Sequence, residues 1–510
     1  MTSPYFFPTD NTIKANEKMS RVPAPLRAVR GFLLSPSFML IPTLVACIFS
    51  TLGADYTMTA LVINAQLFAL ALFLSDDFAA AMMPFLAVMC QGSTLFNEWE
   101  TILPYIIPWG IPPALAFAFH LTVYRKPLRN GATLTGLFAT GAAILLGGLG
   151  CANPSPFANA ENIFYYFGLS FGMILLYLLF SSHYKRLKDY DVYEHFLWQM
   201  LFTGLICSFI MLRTLLAAFG EDFDFVVFRN TTFFRNSLAN IMIMGLPAPF
   251  YFAGKKGWPL ISKLFSFALG LWIYLLLCLT TSRTALLFGT LLLVFCLVFY
   301  FRRGHGRLAK LCNVLALLAL LSLLASILPS LLTIFDSEKI SAFLENLPHS
   351  LVTLDLGEAR TGLLRRASQD FLAHPLFGVG ILSQNNVDLY SHQTGCVCWY
   401  HMYFPQILGS MGLFGVAAYT LHLGIRARLM TFFPDSRSTA VALTALSLFL
   451  YSMTDPGEFM PVPFGMMAVL AFVLLERHVE AHPMRLLDIC TKNVKKNTKN
   501  YRQESNNMIK

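Results

Sequence analysis

The residue types that could do chemistry in this chain are one histidine and a set of arginines. His401 is the last residue before an apolar run that opens at 402, so it stands where a polar loop meets a membrane-length hydrophobic segment. An imidazole is close to neutral at pH 7 and can take a proton from a hydroxyl. Arginine grips phosphate through paired N–H bonds and does not lose its charge. Arginines recur as Arg213 in FIMLRTLL, Arg229 and Arg235 in and beside a polar connection, Arg283 in TSRTALL, and Arg360, Arg365 and Arg366 in GEARTGLLRRASQDF. Together they read as an anion site. Each also has a structural reading alone. Arg283 is placed to snorkel from a helix end, and Arg213 to pair with an acid. Arg360, Arg365 and Arg366 are placed to form the solvated face of a helix. His401 sits among Trp399, Tyr400 and Tyr403, as in an aromatic belt. The loop histidines His349, His374, His392 and His401 match no metal-ligand spacing, and the GVG of 378–380 lacks the third glycine of a dinucleotide fingerprint. No metal or cofactor is expected.

These residues must be positioned by membrane helices. Of 510 residues, 56% are hydrophobic and 13% charged, against about 25% charged in an average soluble domain. That excludes a soluble enzyme, a disordered chain and a small disulfide scaffold, and the unbroken apolar runs exclude an outer-membrane barrel. The expected fold is all-α, a polytopic helical membrane protein. At about 20 residues per span, about 14 transmembrane helices are expected. They fall near 31–52, 57–75, 78–91, 103–123, 132–150, 163–180, 196–219, 233–252, 257–280, 284–301, 311–335, 402–424, 438–453 and 460–476. The third is short enough to be re-entrant.

Alternating loops carry the lysines and arginines on one side. The exceptions are Arg213, Arg229, Arg235, Arg283, Lys339, Arg360, Arg365 and Arg366. By the positive-inside rule both termini are cytoplasmic. The net charge of +9 then reflects topology and anionic membrane lipids, not nucleic acid. Cys47, Cys90, Cys207, Cys278, Cys296 and Cys312 lie in apolar runs as small hydrophobes, and Cys396 and Cys398 leave a disulfide undecided. No signal-peptide pattern opens the chain. The expected organisation is a cytoplasmic segment 1–30, a bundle 31–335, a long extracytoplasmic loop 336–401, spans 402–476 and a basic cytoplasmic tail 477–510, disordered from about 485. In the loop, Leu363, Leu364, Ala367, Phe371 and Leu372 recur at helical spacing. They predict an amphipathic helix on the outer membrane surface, ended by Pro375, with a turn at Gly378 and Gly380.

At these residues the sequence resembles the O-antigen ligase and polymerase family of bacterial membrane glycosyltransferases, over roughly 230–425. The blocks are Ser282-Arg283-Thr284-Ala285-Leu286; Arg360, Ala367 and His374-Pro375-Leu376-Phe377-Gly378-Val379-Gly380; and His401, Gln406, Leu408 and Gly412-Leu413-Phe414-Gly415. A weaker one is Arg235-Asn236-Ser237-Leu238-Ala239. Met402, Ser410 and Leu364 depart from the family's usual asparagine, glutamate and tryptophan.

The resemblance implies transfer of a glycan from a polyprenyl-diphosphate carrier to an acceptor hydroxyl on a glycan, lipid or protein. It places that reaction on the outer face of the inner membrane, without a metal. It implies His401 as base and Arg283 and Arg360 as the diphosphate clamp, with Arg213, Arg235, Asn236, Arg365, Arg366 and Gln406 as substrate-binding candidates. A chain-length regulator is a candidate partner if the activity is polymerisation. The competing class is a flippase for lipid-linked sugars, which needs midplane polarity and repeated halves. Here midplane polarity is sparse (Asn64, Gln66, Asn240) and no repeat is visible.

Overall fold

The computed structural model describes residues 24–33, 35–52, 57–75, 78, 81–82, 84–85, 99–124, 128–151, 166–182, 191–218, 235–280, 282–303, 357–381, 400–430, 435–454, 457–459 and 461–481. Most of the third apolar run, the eleventh (311–335), most of both terminal segments and much of the loop 336–401 lie outside the described residues. So do Arg229, His349, His392, Cys396 and Cys398.

Every regular element among the described residues is helical. In chain order they are α1 (Ala24–Leu33), α2 (Pro36–Leu52), α3 (Thr57–Leu74), α4 (Trp99–Val123), α5 (Ala132–Leu146), α6 (Met173–Ser182), α7 (Val192–Ala218), α8 (Arg235–Gly245), α9 (Pro247–Ala253), α10 (Leu260–Leu279), α11 (Arg283–Arg303), α12 (Gly357–Ala373), α13 (Tyr403–Met430), α14 (Ser436–Ser452) and α15 (Met466–Ala481). A π-helical turn, Gly168–Gly172, leads into α6, and short 3₁₀ and π turns, Gly457–Phe459 and Pro461–Gly465, lie between α14 and α15. Val192–Thr214, Leu260–Leu279 and Tyr403–Met430 are long and apolar enough to cross a bilayer.

Outward faces are apolar, with Ile261 77% and Phe265 64% exposed. Phe180, Phe196, Phe250 and Phe252 fill the interior. Exposed apolar flanks on this scale belong to a surface that meets lipid: the chain is a helical membrane protein. The parallel packing of α3 and α4, fixed by Gln66 Nε2 donating to Trp109 O at 2.9 Å and Tyr124 Oη to Phe73 O at 3.1 Å, matches the directions expected of the second and fourth runs.

One end of the bundle is tied together by helix caps. The first N–H groups of a helix lack intrahelical partners, and carboxylates supply them here. Asp191 accepts from Tyr193 N–H and Glu194 N–H at the start of α7, and Asp435 from Ser438 N–H at the start of α14. Arg437 bonds both aspartates. Glu476 of α15 accepts from Thr133 N–H at the start of α5 and from the Tyr177 hydroxyl.

Several expected spans differ in detail. The eighth is split between α8 and α9 at Leu246, because Pro247 and Pro249 interrupt the helical ladder. The last begins with a π turn before α15. The twelfth is not one straight helix. At Gly412 (φ 59°, ψ −153°) the backbone leaves helical geometry, and the arm 403–411 folds back along 413–430. The Tyr403 and Tyr419 ring centroids come within 5.9 Å. In a straight helix sixteen residues would set them about 24 Å apart.

Arg426, expected in a cytoplasmic loop, is therefore buried in the second arm. It pairs with Glu458 at 2.5 Å and covers the Phe472 ring. The buried guanidinium is compensated by an acid from another element.

Candidate functional site

The hairpin at Gly412 and the loop after α12 complete each other's hydrogen bonds. A continuous helix would pair Gly409 C=O with Leu413 N–H and Ser410 C=O with Phe414 N–H. The reversal opens both pairs, and all four groups find partners in residues 375–380. Val379 N–H donates to Gly409 O at 3.0 Å and Gly380 N–H to Ser410 O at 2.9 Å. Leu413 N–H donates to Pro375 O at 2.9 Å and Phe414 N–H to Leu376 O at 3.1 Å. Gly148 N–H, just past α5, donates to Phe377 O at 2.9 Å. Close approach explains two glycines. A β-carbon on Gly378 would lie 2.5 Å from Gly409 O, and one on Gly412 2.6 Å from Pro375 O. Gly378 and Gly380 have φ of 62° and 88°, so the expected turn is present. The HPLFGVG and GLFG blocks thus meet as one docked unit.

That unit carries His401. The short arm 403–411 rises about 13 Å and places His401 back from the hairpin tip, alongside the second arm. His401 has φ of 51°, a left-handed conformation uncommon outside glycine, and is half-buried. The corner is held on both sides. Tyr400 N–H donates to Gln406 Oε1 at 2.9 Å, Gln406 Nε2 to Ser410 Oγ at 2.9 Å, and Gln406 N–H to Met402 O at 2.9 Å. The Tyr400 hydroxyl donates to Asp370 Oδ2 of α12 at 2.7 Å, and Arg366 Nε donates to the same carboxylate at 3.0 Å. Tyr400, Gln406, Ser410 and Asp370 are all buried. The Gln406 amide is therefore occupied by its own chain, and Arg366 is engaged with Asp370. Arg365 is exposed.

A helix is present where the periodicity predicts one, α12. Leu363 and Ala367 are buried, while Leu364 and Leu372 stay exposed. Cys151 places Sγ 3.7 Å from Gly378 O. Burial, with the Asp370 carboxylate adding to it, pushes its thiol above the ordinary value.

The other candidates gather by their elements. Arg235 and Arg283 are the first residues of α8 and α11. The first turns of both helices bond the end of α14: Tyr451 Oη donates to Asn236 O at 2.8 Å, and Thr454 Oγ1 to Thr284 Oγ1 at 2.8 Å. From there Glu458 N–H reaches Ser452 Oγ at 3.2 Å, and the Phe459 ring packs 5.6 Å from Tyr403. The 451–459 turn therefore touches the helix starts that bear Arg235, Asn236 and Arg283, and also the arm that follows His401. Arg213 lies at this end by register, since α7 and α8 run antiparallel with Ser208 Oγ 3.7 Å from Met242 Sδ. Arg360 lies in the first turn of α12, the helix whose Asp370 accepts from the Tyr400 hydroxyl beside His401. Its backbone lies about 15 Å along the axis from Asp370.

Sequence reasoning missed Asp370, Tyr400, Arg426 and Glu458. The four-residue spacing of Arg366 and Asp370 was the one visible signal. Among the described residues no group of His, Cys, Asp and Glu is arranged to hold a metal ion.

No curated protein matches the chain. The family model described as O-antigen ligase matches residues 266–420, from within α10, through α11 and α12, into the second arm of α13. Both docked blocks and His401 fall inside this stretch, and over it the chain is similar to the O-antigen ligase family.

Proposed function

We propose that the protein transfers a glycan from a polyprenyl-diphosphate carrier to an acceptor hydroxyl at the outer face of the cytoplasmic membrane, without a metal. The acceptor oxygen attacks the anomeric carbon while His401 takes its proton. The bond from that carbon to the diphosphate oxygen breaks, and the leaving diphosphate keeps the electron pair. Arg283 and Arg360 neutralise the charge that develops on it. Preorganised cations in a water-poor site suit this task. Arg235 and Arg213 extend the clamp, while Gln406 and Arg366 act by holding the His401 corner.

The observation that supports the reading is the docking of residues 375–380 against 409–414, in the unit that carries His401, together with the bond from Thr454 after α14 to Thr284 beside Arg283. The acceptor is a lipid or protein for a ligase, or the end of another glycan for a polymerase, where a chain-length regulator would act.

The test is reconstitution with polyprenyl-diphosphate glycan and acceptor, reading release of free polyprenyl diphosphate. The expected result is release by the wild type and none by His401→Ala, which still binds carrier. Arg283→Gln and Arg360→Gln should each fall about 10²–10³-fold. Glycan crossing vesicles unchanged, with His401→Ala silent, would instead identify a flippase.

A further inference from the structure

His401 stands in a backbone conformation uncommon for any residue but glycine, and one residue earlier the chain is anchored to a different helix by a buried carboxylate. Asp370 is 6% exposed and Tyr400 fully buried. The Tyr400 hydroxyl meets Asp370 Oδ2 at 2.7 Å, while the Tyr400 N–H is held by Gln406. A hydrogen bond to a charged acceptor is stronger than one between neutral groups, and Arg366 on the same helix supplies the countercharge. The geometry points to Asp370 as a positioning residue that acts through Tyr400. It fixes the corner on which His401 stands and the height of α12, whose first turn bears Arg360. A bond between these two elements sets the separation of the base from the clamp, a distance neither element controls alone. This rests on the reading of His401 as the base.

The test uses the full chain in liposomes with Asp370→Asn, Tyr400→Phe, the double variant and His401→Ala, measuring kcat, donor KM and thermal unfolding. Tyr400→Phe keeps the ring and removes only the hydroxyl, so it decides the matter if Asp370→Asn does not fold. Displacing a catalytic group by about 1 Å costs up to about 100-fold. Each single variant should therefore lose roughly 10- to 100-fold in kcat with donor KM within about twofold, and the double variant should be no worse than the weaker single. Wild-type kcat in Tyr400→Phe while His401→Ala is inactive would overturn the inference and leave the base standing. So would losses that multiply in the double variant. Activity retained by His401→Ala would remove the base and this inference together.

Discussion

At the scale of single residues, His401 combines a reactive side chain with a costly backbone. A non-glycine residue at positive φ costs about 1–2 kcal/mol, and here φ is 51°. Alanine at this position removes the imidazole and keeps the strain, whereas glycine removes both. His401→Gly should therefore unfold about 1 kcal/mol later than His401→Ala, as thermal unfolding in detergent would show, with both inactive. Added imidazole should restore some diphosphate release to the glycine variant, which leaves room at the corner. The arginines stood out in sequence because they fall on the side that the positive-inside rule leaves poor in basic residues, and the histidine because it ends a polar loop where an apolar run begins. Asp370 did not, since an acid amid arginines on an amphipathic helix looks like part of a solvated face. Its partner Tyr400 belongs to a different element.

At the scale of elements, the hairpin depends on Gly412, whose φ of 59° and ψ of −153° belong to a region essentially restricted to glycine. Gly412→Ala should cost at least about 2 kcal/mol and speed hydrogen exchange at Leu413 and Phe414. Gly424→Ala, on the same helix with open space around it, should be neutral or slightly stabilising. An apolar run from 402 to 424 reads identically as one span or as two arms folded together. What opens the helix is hydrogen bonding from residues 375–380, which no local pattern contains.

Asp435 gives an element-scale pH dependence. Burial alone would raise its carboxyl, but the Ser438 N–H and hydroxyl and the Arg437 guanidinium outweigh this and hold it below the ordinary range. Its contribution is present above the ordinary carboxylate pKa of about 3.9 and is lost as pH falls through the lower folded value. Asp435→Ala should cost about 0.5–2 kcal/mol at pH 7, and the gap in thermal unfolding should close as the pH falls through that range.

For the whole molecule, the Arg426–Glu458 pair ties the second hairpin arm to the turn between α14 and α15, both side chains under a tenth exposed. Removing one partner leaves an unpaired buried charge. Glu458→Gln should lose about 3–5 kcal/mol, whereas Arg426→Met with Glu458→Leu should return most of it. Thermal unfolding of the single and double variants checks this. The apolar runs were enough to give an all-helical membrane fold, but charge counting assigned Arg426 to a loop, because a basic residue near the end of an apolar run looks the same whether it leaves the bundle or finds an acid inside it.

The docking of the α5 end against Phe377 and Gly378 also has a consequence for biogenesis. Cys151 and Gly378 are 227 positions apart in sequence. At roughly 5–20 residues per second of synthesis, the Gly148 amide waits roughly 10–45 s on the ribosome's clock before its acceptor carbonyl exists. Nascent chains halted short of that point must leave this corner unsealed, a window in which insertion factors or proteases would act on it.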